Sequence, residues 1–206
     1  MLNSYGETIS YGSWGTELSN DIMTTGSIPN QVIWAGEHDF FVVNSGNSTV
    51  QKCHMDGSTP TVDAEYLMPE GSNPYLAYYD VTSQLLVVSL WVTGQLAVVD
   101  VETGDITVTE RMSYTSIQGV YTDGEFIYVT DANFSSVTFE YGAGMLYKLD
   151  IDATRIDSAE VGTNPQQIVM DNAGLLHIIC TGDYMSVVGS SHIVDPSEMT
   201  TRAIIP

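Results

Sequence analysis

The chain has 206 residues, of which 26 are acidic and only 5 are lysine or arginine, so its formal net charge is −21 at pH 7. That charge would repel phosphates, which argues against nucleic acid or an anionic membrane surface as a partner. No apolar stretch reaches the roughly 18 residues that a membrane-spanning helix requires, so no membrane span is predicted. The length suits a single domain with a full core.

A cycle of residue types repeats four times along the chain. Its starts lie at Pro29-Asn30, Asn73-Pro74, Ile117-Gln118 and Asn164-Pro165. The intervals between Asn30, Asn73, Gln118 and Asn164 are 43, 45 and 46 residues. A self-similar period of this length is typical of repeat architectures.

Each cycle contains four short apolar or mixed runs in the same order. The first run is followed by a polar turn, and the second ends in a small polar residue, as at Asn44 or Ser89. The third run closes on a carboxylate in three units, whereas the first unit has a histidine there; these residues are Asp100, Asp150, Asp195 and His54. Runs rich in β-branched and aromatic residues, separated by turn residues, predict antiparallel strands. Four such strands within 40 to 45 residues are typical of one β-propeller blade.

The predicted fold is therefore an all-β propeller of four-stranded antiparallel blades, with about five blades in one domain over residues 1–206. Complete blades are predicted at 29–72, 73–116, 117–163 and 164–206. Residues 1–28 are predicted to form a partial blade of three strands, because residues 3–6 resemble residues 44–46. Either the ring closes with five blades or the chain is part of a larger ring. An open ring would expose blade edges, through which copies could self-associate.

Three segments resemble the YVTN-type, YncE-like repeats of β-propeller proteins. They are FVVNSGNSTV at 41–50, VVDVETG at 98–104 and VGTNPQ at 161–166. The resemblance extends over nearly the whole chain and implies an exported protein that is periplasmic, secreted or attached to the cell surface. Related propellers often have seven blades. Because the family shares no catalytic motif, the resemblance assigns no active-site residue.

Signals of catalytic or redox chemistry are close to absent. The sequence contains no glycine-rich phosphate loop, His-Glu-x-x-His, Cys-x-x-Cys or Gly-x-Ser-x-Gly motif. Cys53 and Cys180 fall in blades three units apart, too far for a disulfide, and are predicted to be buried free thiols. Asp100, Asp150 and Asp195 are predicted to accept backbone hydrogen bonds in the turns that follow them.

The candidate site follows from loop lengths on the face where each second strand meets the third. The third and fourth complete blades carry longer loops there, at 131–144 and 182–190. Long loops on a rigid scaffold concentrate binding residues. The candidate ligand-binding residues are Asn30, Asn73, Phe134, Tyr141, Asn164 and Tyr184. The candidate metal ligands are Asp131, Asn133 and Asp183, whose oxygens would suit calcium.

The leading hypothesis is an exported, non-enzymatic binding or scaffold propeller that acts through the loops around its central channel. It needs no cofactor, and its ligand is either a protein or a small molecule. The first alternative is a divalent-cation-dependent hydrolase or lactonase with a metal in the channel. Its acidic candidates come from only two blades, which favours binding over catalysis. The second alternative is a structural module of a surface assembly.

Overall fold

The structure is a computed structural model that describes residues 1–12, 19–113 and 116–206. In these ranges the chain is all β, so no helix is present there that could span a membrane. The strands form consecutive antiparallel sheets that are arranged as the blades of a β-propeller. The predicted fold class is confirmed.

Blade 1 has three strands, β1 Leu2–Asn3, β2 Thr8–Tyr11 and β3 Ser19–Thr24. Blade 2 consists of β4 Pro29–Gly36, β5 Asp39–Asn44, β6 Thr49–Asp56 and β7 Thr59–Leu67. Blade 3 consists of β8 Pro74–Asp80, β9 Leu85–Leu90, β10 Gln95–Asp100 and β11 Ile106–Val108. Within each blade, strands adjacent in sequence pair with one another, so each sheet is an up-and-down meander.

Blade 4 is interrupted by a separate hairpin. Its strands are β12 Ile117–Thr122, β13 Phe126–Asp131, β16 Gly144–Asp150 and β17 Arg155–Val161, and the hairpin is β14 Phe134–Ser135 with β15 Glu140–Tyr141. Blade 5 consists of β18 Pro165–Met170, β19 Leu176–Cys180, β20 Ser190–Asp195 and β21 Thr200–Ile205.

The second strand of each blade explains how the blades stack. In β5, β9 and β13, every residue after the first is buried, so both faces of these strands are covered. A short, continuously apolar run is the sequence form of such a strand. In β19 burial alternates instead, because only the face towards blade 4 is covered.

The core consists of apolar layers between successive blades. Phe41 and Val43 of blade 2 pack against Leu86 and Val88 of blade 3. The same arrangement recurs between blades 3 and 4 through Val87, Leu96, Ile127 and Val129, and between blades 4 and 5 through Tyr128, Leu146, Ile178 and Val194. Ile9, Met23, Phe40 and Val42 form the layer between blades 1 and 2.

The first strands of the blades lie side by side around the channel. β4 contacts β8, β8 contacts β12, and β12 contacts β18. In blade 1, β1 packs against β4 in the way that β5 packs against β8. The starts of the four complete blades are therefore brought together at one end of the channel.

Two local predictions from the sequence are confirmed. The Asp100 carboxylate accepts hydrogen bonds from the backbone N–H groups of Glu102 and Thr103, both at 2.9 Å. Asp150 and Asp195 accept backbone hydrogen bonds in the same way. Cys53 and Cys180 are buried free thiols, and burial raises the pKa of Cys53 to about 12 and that of Cys180 to about 11.

His192 provides a test of stability against pH. It lies on β20, is 9% exposed, and its Nδ1 atom has no hydrogen-bond partner among the described residues. Burial lowers the pKa of His192 below its ordinary value of 6.5. The unfolded chain therefore binds a proton at this residue at a pH where the folded chain does not, so stability falls as the pH drops below that value.

We expect the loss of stability between about pH 7.5 and pH 5.5 to be smaller in His192→Asn than in the parent. Chemical denaturation at several pH values measures it. The comparison cancels the opposite effect of His54, whose pKa is raised by its hydrogen bond to Asp39 and which is unchanged in both proteins. Parallel stability curves for the two proteins would contradict the prediction.

Candidate functional site

The blade starts converge on a cavity of about 370 Å³, which we call the channel mouth. Its walls come from blades 2 to 5 and from the hairpin of blade 4. The lining residues are Ile28, Asn30, Ser45, Asn73, Tyr75, Trp91, Gln118, Tyr141, Gln166 and Tyr184. Residues at equivalent places in a repeat converge in this way because each blade presents the same strand end to the axis.

One side of the channel mouth is held by a hydrogen-bonded chain from blade 2 to blade 3. The Asn30 amide nitrogen donates to the Ser45 hydroxyl. That hydroxyl donates in turn to the backbone carbonyl of Pro74 at 2.7 Å. Because a carbonyl can only accept, the direction of the whole chain is determined. One N–H donor of the Asn30 amide is therefore used by the fold.

A second chain connects blades 4 and 5. The Asn164 amide nitrogen donates to the Thr181 hydroxyl at 2.7 Å, and the Asn164 oxygen accepts from the Gln118 amide nitrogen at 3.0 Å. Asn164 is fully buried and Gln118 is 5% exposed. Buried amides that are paired in this way contribute to the rigidity of the site, because losing one partner leaves the other unsatisfied.

Aromatic side chains form the rim of the channel mouth. Tyr75 and Trp91 lie with their ring centroids 6.5 Å apart, and Tyr141 and Tyr184 lie 6.4 Å apart in an edge-to-face arrangement. The Tyr184 hydroxyl accepts from the Gln166 amide nitrogen at 2.9 Å. Burial, with the neighbouring Tyr184 and Tyr75, raises the pKa of Tyr141, so its hydroxyl is neutral at physiological pH.

The hairpin that carries Tyr141 differs from the sequence prediction. The sequence predicts a long loop at 131–144, but in the structure Phe134 pairs with Tyr141 across two short strands. Their ring centroids are 4.9 Å apart, and such cross-strand aromatic pairs stabilise a hairpin. Phe134 thus packs against the ring of Tyr141 and is not a lining residue of the channel mouth.

The predicted ligand-binding residues are therefore partly brought together. Asn30, Asn73, Tyr141 and Tyr184 all line the channel mouth. Asn164 is buried and is connected to it through Gln118 and, by way of Thr181, through Tyr184.

The predicted metal ligands lie apart from the channel mouth. Asp131, Asn133, Phe134 and Tyr147 line a neighbouring cleft of about 570 Å³, and Asp183 is not among its lining residues. The Asp131 carboxylate accepts from the Asn133 backbone N–H at 2.8 Å and from the Tyr147 hydroxyl at 3.4 Å. Within the described ranges, no group of three or more His, Cys, Asp and Glu side chains forms a metal cluster.

The Asp183 carboxylate accepts its hydrogen bonds from residues of its own loop. It accepts the backbone N–H groups of Met185, Ser186 and Val187, at 2.7 to 2.9 Å, and also the Ser186 hydroxyl at 2.7 Å. The N–H of Val187 and the Ser186 hydroxyl are the main reasons why the pKa of Asp183 lies far below its usual range. Through these contacts, Asp183 stabilises the turn that follows it in the chain.

Six lining residues of the channel mouth are not among the predicted site residues, namely Ile28, Ser45, Tyr75, Trp91, Gln118 and Gln166. Gln118 and Gln166 occupy the periodic blade starts, which is a signal that the sequence does contain. Tyr75 is the second residue of β8, and Trp91 directly follows the last residue of β9. Both therefore lie at the end of blade 3 that faces the channel mouth. An aromatic residue at a blade start or just after a second strand is therefore a useful signal for this site.

Comparisons with known proteins support the fold alone. No family model matches the chain, and no curated protein matches it either. A functionally unknown protein from Desulfotomaculum acetoxidans is similar in structure, with a TM-score of 0.76 and 14% identity over 99% of this chain and 64% of that chain.

Virginiamycin B lyase from Staphylococcus aureus has a TM-score of 0.65 at 12% identity, over 84% of this chain and 54% of that one. A putative 6-phosphogluconolactonase from Bacteroides uniformis has a TM-score of 0.63 at 9% identity, over 85% and 53%. This chain thus spans about half the length of these two structures. At such low identity, the likeness concerns the propeller fold and carries no activity.

Proposed function

We propose that this chain is a binding propeller that takes a small ligand at the channel mouth. The observation that carries the proposal is the composition of that cavity. Aromatic rings and amides from four blades surround it, and none of the described residues that line it is Asp, Glu, Lys, Arg or His. A concave site with aromatic walls and a few positioned polar groups suits ligand binding. General acid–base catalysis needs a titratable group at the reacting atoms, and Tyr141, whose pKa is raised, is a poor candidate.

The proposal includes an exported, non-enzymatic role as a binding or scaffold module outside the cytoplasm. Its support is the resemblance of residues 41–50, 98–104 and 161–166 to YVTN-type, YncE-like repeats. The strongly negative net charge is compatible with such a role, because a net charge far from zero helps to keep a protein soluble on its own.

A divalent-cation-dependent hydrolase or lactonase is the second candidate. Two enzymes, a lyase and a putative lactonase, are among the similar structures. Asp131 is only 4% exposed and lines a cleft beside the channel mouth. Against this candidate, the carboxylates of Asp131 and Asp183 are both engaged by donors of their own loops.

A structural module in a surface assembly is the third candidate. On the outer face of blade 5, Val169, Ile179 and Ile205 are 58%, 39% and 53% exposed. Ile179 is the second-last residue of β19. The second-last residues of β9 and β13, Ser89 and Thr130, are fully buried between blades. Another chain or blade could cover this face and so produce self-association through open blade edges.

The binding proposal predicts that the aromatic rim is required for ligand capture. Ligand-observed NMR with a library of small molecules should detect binders whose signals change with the parent protein. Tyr184→Ala and Trp91→Ala should each weaken their binding by about tenfold, the equivalent of about 1.4 kcal/mol.

Tyr5→Ala and Trp34→Ala are the matched controls, since both side chains are exposed and neither lines the channel mouth. They should bind as the parent does. If no compound binds in a manner that depends on Tyr184 or Trp91, the binding proposal is wrong.

Calorimetry with calcium separates the binding propeller from the cation-dependent enzyme. We expect no heat of calcium binding in the parent, because Asp131 and Asp183 lie in separate hydrogen-bonded loops. Binding in the parent that is lost in both Asp131→Ala and Asp183→Ala would favour the enzyme instead.

A further inference from the structure

We propose that blade 2 carries a binding site for a divalent transition-metal ion, held between the imidazoles of His38 and His54. The site lies at the opposite end of blade 2 from the channel mouth. β4 starts at the mouth, where Asn30 lines the cavity, and ends at Gly36, beside these histidines. At about 3.3 Å per residue, roughly 20 Å of strand separates the two sites. The inference is therefore independent of the proposed ligand binding.

The two histidines are brought together by the strands that carry them. His38 lies in the tight turn between β4 and β5, and His54 lies on β6, which pairs with β5. The backbone N–H of Met55 donates to the His38 carbonyl at 2.8 Å, which fixes this turn against β6. The imidazole ring centroids of His38 and His54 are 5.9 Å apart, and the ring planes are inclined at 75°. Two of the four histidines of the chain are thus neighbours.

The separation of the two rings suits a shared metal ion. A bond from an imidazole nitrogen to zinc is about 2.0–2.1 Å long, so two imidazoles on one tetrahedral ion have centroids roughly 5 Å apart. His38 is exposed, and the His54 side chain is 43% exposed. An ion can therefore reach both rings from solvent, and rotation of the His38 side chain can close the remaining distance.

Asp39 orients His54 for metal binding. Its Oδ1 atom lies 2.7 Å from Nδ1 of His54. Because a carboxylate only accepts, Nδ1 carries the proton and the lone pair of Nε2 is left for the ion. Metal-binding histidines typically donate their other ring N–H to a carboxylate in this way. The Lys52 ammonium lies 3.9 Å from the second oxygen of Asp39, so Asp39 is a positioning residue and the ligands are the two imidazoles.

Blade 2 departs from the repeat at this place. In blade 3, Leu85 pairs with Asp100, whereas the equivalent pair in blade 2 is Asp39 with His54. Asp100 accepts hydrogen bonds from the backbone of the turn that follows it. In blade 2, β6 continues for two residues beyond His54 before it turns, so His54 has no such turn to stabilise. The repeat therefore does not account for the presence of His54.

The charges around the two rings favour a cation. The pKa of His54 is raised by its hydrogen bond to Asp39, and further by the charges of Asp39, Asp63 and Asp56. A metal ion beside His54 would meet the same negative field. Calcium and magnesium prefer oxygen ligands, whereas imidazole suits zinc, nickel and copper. Two imidazole ligands in an acidic field thus select a divalent transition-metal ion, with water at its other positions.

Calorimetric titration of the full chain with NiCl₂ tests the site. It is carried out at about pH 8, where imidazoles are neutral, and in excess CaCl₂, which occupies carboxylate oxygens. We expect one equivalent of Ni²⁺ to bind. His38→Gln and His54→Gln should each weaken that binding at least about tenfold, because each removes one arm of a chelate.

His177→Gln is the matched control. Nε2 of His177 lies 2.9 Å from a carboxylate oxygen of Asp171, so the two residues form a similar pair, but no described imidazole lies beside the His177 ring. This variant should bind Ni²⁺ as the parent does. Asp39→Ala should weaken binding about tenfold, and Asp39→Asn, which keeps an acceptor oxygen for Nδ1–H, should restore most of the affinity.

Paramagnetic Cu²⁺ locates the site without any substitution. At substoichiometric amounts it should broaden the amide NMR signals of residues 37–39 and 53–55 before those around the Met1 amino group. Broadening that begins elsewhere would overturn the proposal. So would a parent that binds no Ni²⁺, or unchanged Ni²⁺ affinity in either His38→Gln or His54→Gln, since independent histidines would each keep their own ion. None of these outcomes affects the ligand binding proposed for the channel mouth, which is tested by Tyr184→Ala and Trp91→Ala.

Discussion

Replacing Phe41 by alanine should lower the free energy of unfolding by about 3–5 kcal/mol. Phe41 is fully buried in the apolar layer between blades 2 and 3, and its ring lies 4.9 Å from that of Tyr79. Removing the ring costs its burial energy and leaves a cavity that rigid strands on both sides cannot close. Because such apolar layers hold adjacent blades together, losing the Phe41 ring directly weakens the packing of blade 2 against blade 3.

Urea denaturation followed by circular dichroism measures this effect. Phe139→Ala is the matched control, since Phe139 is 77% exposed at the tip of the blade 4 hairpin. Its replacement should change stability by no more than about 0.5 kcal/mol. A Phe41→Ala protein within about 1 kcal/mol of the parent would mean that the layer between blades 2 and 3 is not the main source of their cohesion.

Gly119→Ala should destabilise the fold by about 3 kcal/mol and also abolish the proposed ligand binding at the channel mouth. Gly119 lies in β12, where a Cβ atom would stand 2.5 Å from the backbone carbonyl oxygen of Gln166. That neighbour is backbone and cannot rotate away, so β12 and β18 must separate. Gln118 and Gln166, which flank the contact, would then leave their places in the lining.

The control is Gly104→Ala, in a turn where a Cβ atom would meet nothing within 4 Å but φ is +80°. It should cost about 1 kcal/mol through the left-handed conformation alone, with ligand binding unchanged. Denaturation and ligand-observed NMR on both variants give the two readouts. Normal binding by Gly119→Ala would show that β12 and β18 tolerate a wider spacing at the channel mouth.

Periodic features of the sequence predicted the fold well because each depends on neighbours in the chain. The four blade starts and the continuously apolar second strands specify meandering sheets without reference to any distant residue. The carboxylates of Asp100, Asp150 and Asp195 accept from N–H groups two to four residues ahead, which is a contact that sequence spacing alone can predict.

The same kind of local reasoning was less successful at the candidate site. Asn73 and Asn164 occupy equivalent places before a proline, yet the side-chain oxygen of Asn73 has no partner among the described residues, whereas the oxygen and nitrogen of Asn164 are both hydrogen-bonded. The difference comes from Gln118, which belongs to another blade. Tyr75 and Trp91 were missed because nothing in their own segments indicates which rings from other blades they will meet.

The sequence by itself determined the repeat, the antiparallel strands and the turns, because hydrogen bonds and side-chain alternation within a meander act over a few residues. Only the tertiary structure decided which residues share the channel mouth, and which amide nitrogens are used by the fold. Those outcomes depend on contacts between blades some 46 residues apart in the chain, as between Gln118 and Asn164. Such contacts are set by the packing of whole sheets around the channel, and no short segment contains that information.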